Sequence, residues 1–261
     1  FTCYQVNAEM KPMDDTAMEA TVGQAFIEMD SNTLNGNQYS RITFGQDVKV
    51  QANADSLDLG YNYNGDLDFS DTDFSATNLS LGYIDTATNT IVPFEFTNPY
   101  FEWVTDASNN MVGFRVGADQ TIGKLQMDLT SFSGHIDMMI DGQAAALFTG
   151  AAGTQTNSRA TYIGDSTKAC VDGTSCVSLA NIQSLDVGDS DGINSTGDFF
   201  LSFQKTSLNW LLSDNITERT ATKGFFMNIP TSNSITISGA GTGTPGYAVE
   251  FIDRGVGRWN N

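Results

Sequence analysis

"MVGFRVGAD" (residues 111–119) and "GKLQMDLTSFSGHIDMMID" (123–141) decide the fold. Their apolar residues recur at every second position, the period of a half-buried β-strand and not of a helix. On a strand, Ile136, Met138 and Ile140 share one face, while His135 and Asp137 share the other, polar one. The second stretch is long enough to read as two strands.

The same period extends outward in both directions. "RITFGQDVKVQ" (41–51) and "SLDLGYNY" (56–63) read as strands, and "NLSLGYID" (78–85) as a strand running into the turn-like "TATN". "TIVPFEFTNPYFEWVTD" (90–106) reads as two strands interrupted near Asn98-Pro99, because proline has no N–H to give a ladder. "DFFLSFQ" (198–204), "GFFMNIP" (224–230), "SITISG" (234–239) and "YAVEFIDR" (247–254) continue the pattern. "QAAALFTG" (143–150) fits neither period cleanly, and "LNWLLSD" (208–214) reads as a helical turn. Residues 151–197, rich in Gly, Ser, Asp and Thr, read as an elaborated loop region. Short strands with frequent turn signals predict an all-β, antiparallel β-sandwich or jelly-roll-like fold. No strand–helix alternation occurs, which excludes a nucleotide-type α/β fold. "LDLGY" (57–61) and "LSLGY" (79–83) recur once, which keeps a β-solenoid as the alternative.

The chain carries 31 Asp and Glu against 12 Lys and Arg, a net charge of −19. That field repels phosphate backbones and anionic lipid, so nucleic acid and unaided membrane insertion are excluded as partners. No apolar run is long enough for a transmembrane helix. Only 16% of residues are charged, so the surface is built largely from Ser, Thr, Asn and Gln. This composition and the first residue, Phe1, predict a secreted chain whose leader has been removed. Cys170 and Cys176 flank the turn-like "VDGTS" and are expected to form a small disulfide loop in an oxidising compartment; Cys3 is left over, to stay free, compete for either, or bond another chain.

Motifs for catalysis fail on their context. "GDSDG" (188–192) has the form of a nucleophile elbow, but the chain's one histidine, His135, precedes it, whereas the elbow needs a histidine after the serine. The spacing from His135 to Ser190 is also too short for a trypsin-like arrangement. "GDST" (164–167) lacks a downstream histidine for the same reason, and "SGAGTGTPG" (238–246) has no following helix to hold a phosphate. Nothing marks a carboxylate pair for glycoside hydrolysis. The expectation is a protein that is not an enzyme.

The acidic cluster "DVGDSDGINSTGD" (186–198) is the best candidate for a ligand. Calcium loops space oxygen ligands two residues apart around a turn-forming glycine. Asp186, Asp189, Asp191, Asn194 and Asp198 are the candidate metal ligands, with calcium the expected cofactor, although Val187 stands at the first loop position and Asp198 replaces the usual glutamate. Asp66 and Asp68 form a weaker second cluster.

The N-terminal stretch breaks the β pattern. Lys11-Pro12 ends an extended arm, Asp14 or Asp15 caps a short helix through about Val22, and Gly23 stops it. "MDDTAMEATVGQAFIEMD" (13–30), through Met13, Asp14, Asp15, Met18, Gly23, Gln24, Ala25, Ile27 and Asp30, resembles the start of a group of secreted gammaproteobacterial β-proteins, the Fil-type subunits of a pilus system. The resemblance implies a cell-surface or appendage protein of a Gram-negative bacterium. Residues 1–30 then read as an assembly segment and 31–261 as one β-rich domain. In "FTCYQVN", Thr2, Tyr4 and Val6 alternate with Phe1, Cys3 and Gln5, a pattern suited to filling the open sheet edge of another copy. The expected function is a structural subunit of a fibre, self-assembling head to tail. The alternative is a monomeric adhesin or carbohydrate-binding module that binds a surface glycan through aromatics such as Tyr61, Tyr63, Tyr100 and Trp103.

Overall fold

The computed structural model describes residues 27–60, 72–140, 142–171, 175–182, 184–189 and 193–235. The predicted arm and helix therefore lie outside the described residues, as do Cys3, Tyr61, Tyr63, Asp66, Asp68, Ser190, Asp191 and everything after Ile235.

Within the described residues the fold is all-β, with one short 3₁₀ turn at Leu179–Asn181. The first strands are β1 (Ile27–Leu34), β2 (Asn37–Phe44), β3 (Asp47–Val50), β4 (Ala52–Leu59), β5 (Phe74–Leu81), β6 (Tyr83–Asp85) and β7 (Thr90–Val92). β8 (Phe94–Thr105), β9 (Met111–Ser131), β10 (Gly134–Ile140) and β11 (Gln143–Phe148) follow, and then β12 (Gln155–Thr156), β13 (Tyr162–Asp165), β14 (Cys176–Ser178) and β15 (Ser184–Val187). β16 (Phe200–Gln204), β17 (Leu208–Leu211), β18 (Glu218–Ala221) and β19 (Gly224–Ile235) complete the set.

Fifteen strands join one sheet, whose main path runs β1-β2-β8-β9-β16-β19-β10-β11-β13-β14. The sheet folds over itself through β9, which is 21 residues long. Its first half pairs with β8 and β16, and its second half with β5 and β15. The crossing point is Gly123, where φ is +153° and an added Cβ would lie 2.7 Å from the Phe94 ring and 2.9 Å from the Phe94 Cα. Phe74, Leu129 and Leu185 of the second layer meet Phe225, Met227, Ile229 and Ile136 of the first in the main core. Ile136, Met138 and Ile140 all point into it, as their alternation requires.

Six expectations are corrected. The two halves of 111–131 are one strand, not two. The stretch 94–105 does not break at Asn98-Pro99: Asn98 takes φ +49°, its N–H donates to the Gln46 carbonyl, and β8 continues, the real break being Pro93. Residues 41–51 split instead into β2 and β3. "LNWLLSD" begins as β17, because Leu208, Trp210 and Leu212 are buried on one side, a period of two imposed by the sheet beneath. The solenoid alternative fails as well: "LDLG" and "LSLG" lie on β4 and β5, antiparallel neighbours and not stacked coils. The expected loop region 151–197 contains four short strands.

Replacing Gly123 by alanine pushes a methyl group into Phe94 at the fold-over. The expected cost is about 1–3 kcal/mol, read as a lower urea midpoint. An unchanged midpoint would mean that β9 does not depend on a residue without a side chain at this crossing.

Candidate functional site: an uncovered sheet face beside an open edge

The first layer is apolar on both faces of β8, and the two faces meet different fates. On one face a row of paired residues runs Arg41, Glu102, Arg115, Ser202 and Phe226 across β2, β8, β9, β16 and β19. The β17–β18 hairpin covers this row. Arg115 is 1% exposed; its Nε donates to Glu102, and its Nη2 donates to the Leu211 carbonyl at 2.9 Å. Its guanidinium lies 4.9 Å from the Trp210 ring, 5.0 Å from Phe200 and 5.4 Å from Tyr100. A buried charge is tolerable only when paired and hydrogen-bonded in this way. Arg41 adds a second contact to Glu102 at 3.3 Å and stacks 4.1 Å over Tyr100. Tyr39 donates to the Asn209 carbonyl at 2.6 Å, and burial, then Glu102, pushes its hydroxyl up to about 12.

The opposite face carries two apolar rows. One runs Met29, Ile42, Phe101, Val116, Leu201 and Met227, and the other ends in Trp103, Phe114, Phe203 and Phe225. At β19 these rows end on Phe225 and Met227, buried against the second layer. Elsewhere they are exposed: Met29 is 71% exposed, Ile27 51% and Phe101 43% on the β1 side, and Phe203 is 42% exposed on β16. Phe44, Phe101 and Phe114 pack successively at 5.9 Å between ring centroids. A depression of about 360 Å³ opens between Met111, Phe114, Phe203 and Phe225. Among the described residues only β2 pairs with β1, so the outer edge of β1 is open beside the bare face. Monomeric soluble proteins rarely expose such contiguous apolar surface without using it.

Comparison with known protein families, with curated proteins and with solved structures returned no match to this chain. Among the described residues the geometry defines a class: an all-β, folded-over sheet with one disulfide, exposed apolar side chains on one face and a β1 edge without a partner strand. Among the described residues no helix is long and apolar enough to cross a membrane.

The sites expected from sequence fall out as follows. Cys170 and Cys176 form the anticipated disulfide, with a Cα–Cα distance of 5.2 Å, packed on Phe148. Of the candidate calcium ligands, Asp191 lies outside the described residues, while Asp189 and Asn194 are brought together. Asp186 pairs with Lys124 at 2.5 Å, Asp189 accepts from the Asn194 amide nitrogens, and Asp198 accepts from Ser213 N–H at 2.7 Å and Ser213 Oγ at 3.0 Å. No group of three metal-ligating side chains of the Asp, Glu, His and Cys type occurs among the described residues. Tyr100 is 4% exposed beneath Arg41 and cannot serve as a glycan platform; Trp103 is half-buried on the bare face. The "GDST" serine is part of a tight turn closed by Asp165, which accepts from Thr167 N–H and Oγ1. His135 is half-buried and feels the charges of Arg219 and Asp137.

Phe101, Phe114 and Phe203 are the residues sequence reasoning missed. The signal was there: in "PYFEWV" both faces of one strand are apolar, which asks for cover on both sides, and the structure supplies it on one.

Arg115→Leu alone leaves the Glu102 carboxylate beneath the hairpin with only the longer Arg41 contact and is expected to cost about 3 kcal/mol in denaturant unfolding. Adding Glu102→Leu should restore most of that loss; a double variant as unstable as the single would show that the pair is not the source. His135 gives a pH prediction. Burial, then the Arg219 charge, lowers its pKa from 6.5 to about 4. The unfolded chain therefore binds a proton that the folded chain refuses, and stability falls as pH drops from 6.5 to about 4. The loss is on the order of 3 kcal/mol. His135→Gln should lack this component when urea midpoints are compared at pH 7 and pH 4.5.

Proposed function

We propose that this chain is a structural subunit that assembles with copies of itself into an extracellular fibre on the surface of a Gram-negative bacterium. The observation that carries the reading is the coincidence, among the described residues, of the open β1 edge with the exposed apolar side chains Ile27, Met29 and Phe101. An unpaired edge offers backbone hydrogen bonds, and an adjacent apolar face offers burial for alternate side chains; together these are what an added strand requires. The occupant is the N-terminal arm of a second copy. Its residues Thr2, Tyr4 and Val6 alternate with Phe1 and Cys3 as a strand laid on such a face would demand. Head-to-tail repetition of a contact between two different surfaces yields an open filament. The disulfide suits an oxidising compartment. The sequence resemblance over residues 13–30 points the same way.

With a net charge of −19, neighbouring subunits repel, so assembly should strengthen as salt is raised. Negative-stain microscopy of the concentrated full chain is expected to show regular filaments. A chain lacking residues 1–12, and separately the Met29→Lys variant, should keep their far-UV spectra and thermal transitions but give discrete particles only. Filaments from the truncated chain would remove the arm from the contact. Discrete particles from the full chain at all salt concentrations would overturn the reading.

A further inference from the structure

A second feature lies on the far side of the sheet from the open edge. β10 and β11 leave each other almost at once. Their ladder consists of Met139 opposite Ala144 and Ile140 opposite Gln143, and no more. Beyond it, β11 turns to β13 on one side and to the two-residue β12 on the other. β10 meanwhile follows β19 in parallel, from Gly134 opposite Met227 onward. The sheet is therefore split between His135 and Leu147, and a cavity of about 320 Å³ occupies the split. That volume is at the small end of the range for small-molecule sites.

The lining has two characters. Gln155, Thr156 and Asn157 present amide and hydroxyl groups at the mouth, and His135 presents its imidazole from β10. Ala145 and Ala146 supply the accessible apolar part of the lining, with Ile136 and Leu147 buried beneath them in the main core. Asn157 is exposed and bonded only loosely, its Nδ2 3.4 Å from the Thr220 carbonyl. Gln155 gives its amide nitrogen to the Ser166 carbonyl, which turns its acceptor oxygen to other uses. Charge narrows the ligand. The chain's strong negative field and the carboxylate of Asp137 beside His135 oppose an anion. Arg219, whose Nε is buried without a hydrogen-bond partner, opposes a cation. What remains is a neutral molecule with groups that both donate and accept around its rim and a C–H face to lay on aliphatic side chains.

We propose that the split between β10 and β11 is a binding site for one neutral pyranose unit of a glycan, held at its hydroxyls by His135, Gln155 and Asn157 and lying over Ala145 and Ala146. This site is independent of the fibre contact, being built from different strands and lying on the other side of β19.

His135 is the chain's one histidine, so its imidazole carbon–proton resonances report on the cavity without ambiguity. At pH 7 the full chain, kept dilute at low salt, is titrated with D-glucose, D-galactose, D-mannose and N-acetylglucosamine, with glycerol and D-glucuronate as controls. The expected result is a saturable, millimolar shift of the His135 signals by at least one neutral sugar. Asn157→Ala and Gln155→Ala, both at exposed positions, should each weaken it tenfold or more. No saturable shift with any of the four sugars overturns the proposal. So does an equal response to glycerol, tighter binding of glucuronate than of glucose, or full binding by both variants.

Discussion

The fold depends on one strand being able to belong to two layers. β9 gives its first half to a sheet with β8 and β16 and its second half to a sheet with β5 and β15. A flat strand of that length would leave the apolar sides of both halves in water. Folding over at Gly123, against Phe94, lets the two halves bury their inner faces against a common core. Much of the remaining architecture follows from how far that second layer reaches. Among the described residues it consists of β4, β5, half of β9 and β15, and Met29 and Phe101 of the first layer remain exposed beyond it.

The other side of the first layer is closed by different means. There a hairpin takes the place of a second sheet, and it is fastened by polar contacts as well as by Trp210. Arg115 joins the sheet to the hairpin backbone through Leu211, and Tyr39 does the same through Asn209. Gly113 sits directly below Leu208, where a side chain would collide with it. Hydrophobic contact alone has little directional preference; the guanidinium, its carboxylate and the surrounding rings fix one placement for the hairpin.

The class of fold was legible because period-two alternation in 111–141 and 224–230 is a local consequence of burying one side of a strand. Which strands continue was not. Asn98 keeps β8 intact by adopting a backbone conformation that asparagine tolerates better than most residues, and Leu208–Leu211 becomes a strand only because a sheet lies under it. The β1–β2 hairpin had a readable signal in Asn35-Gly36, both with positive φ, as a two-residue turn requires. The disulfide was legible from its short spacing. Within the acidic cluster, Asp186, Asp189 and Asp198 sit close in sequence but engage Lys124, Asn194 and Ser213 respectively, tertiary partners that loop spacing does not record. The bare face and the split sheet were invisible, since both arise from where strands part, and no local pattern records that.

The strand order carries a consequence for how the chain reaches this state. β9 and β10 are joined by two residues, Phe132 and Ser133, yet they do not pair; β16 and β19 stand between them. The slot cannot be filled until the chain as far as β19 is available, because Gly134 finds its partner only at Met227. Contacts this distant close slowly, their loop entropy being lost before any pairing compensates it. An incomplete chain thus holds two raw strand edges facing an empty slot. A cell that makes this protein must keep those edges apart from other chains until the last third of the sequence has arrived.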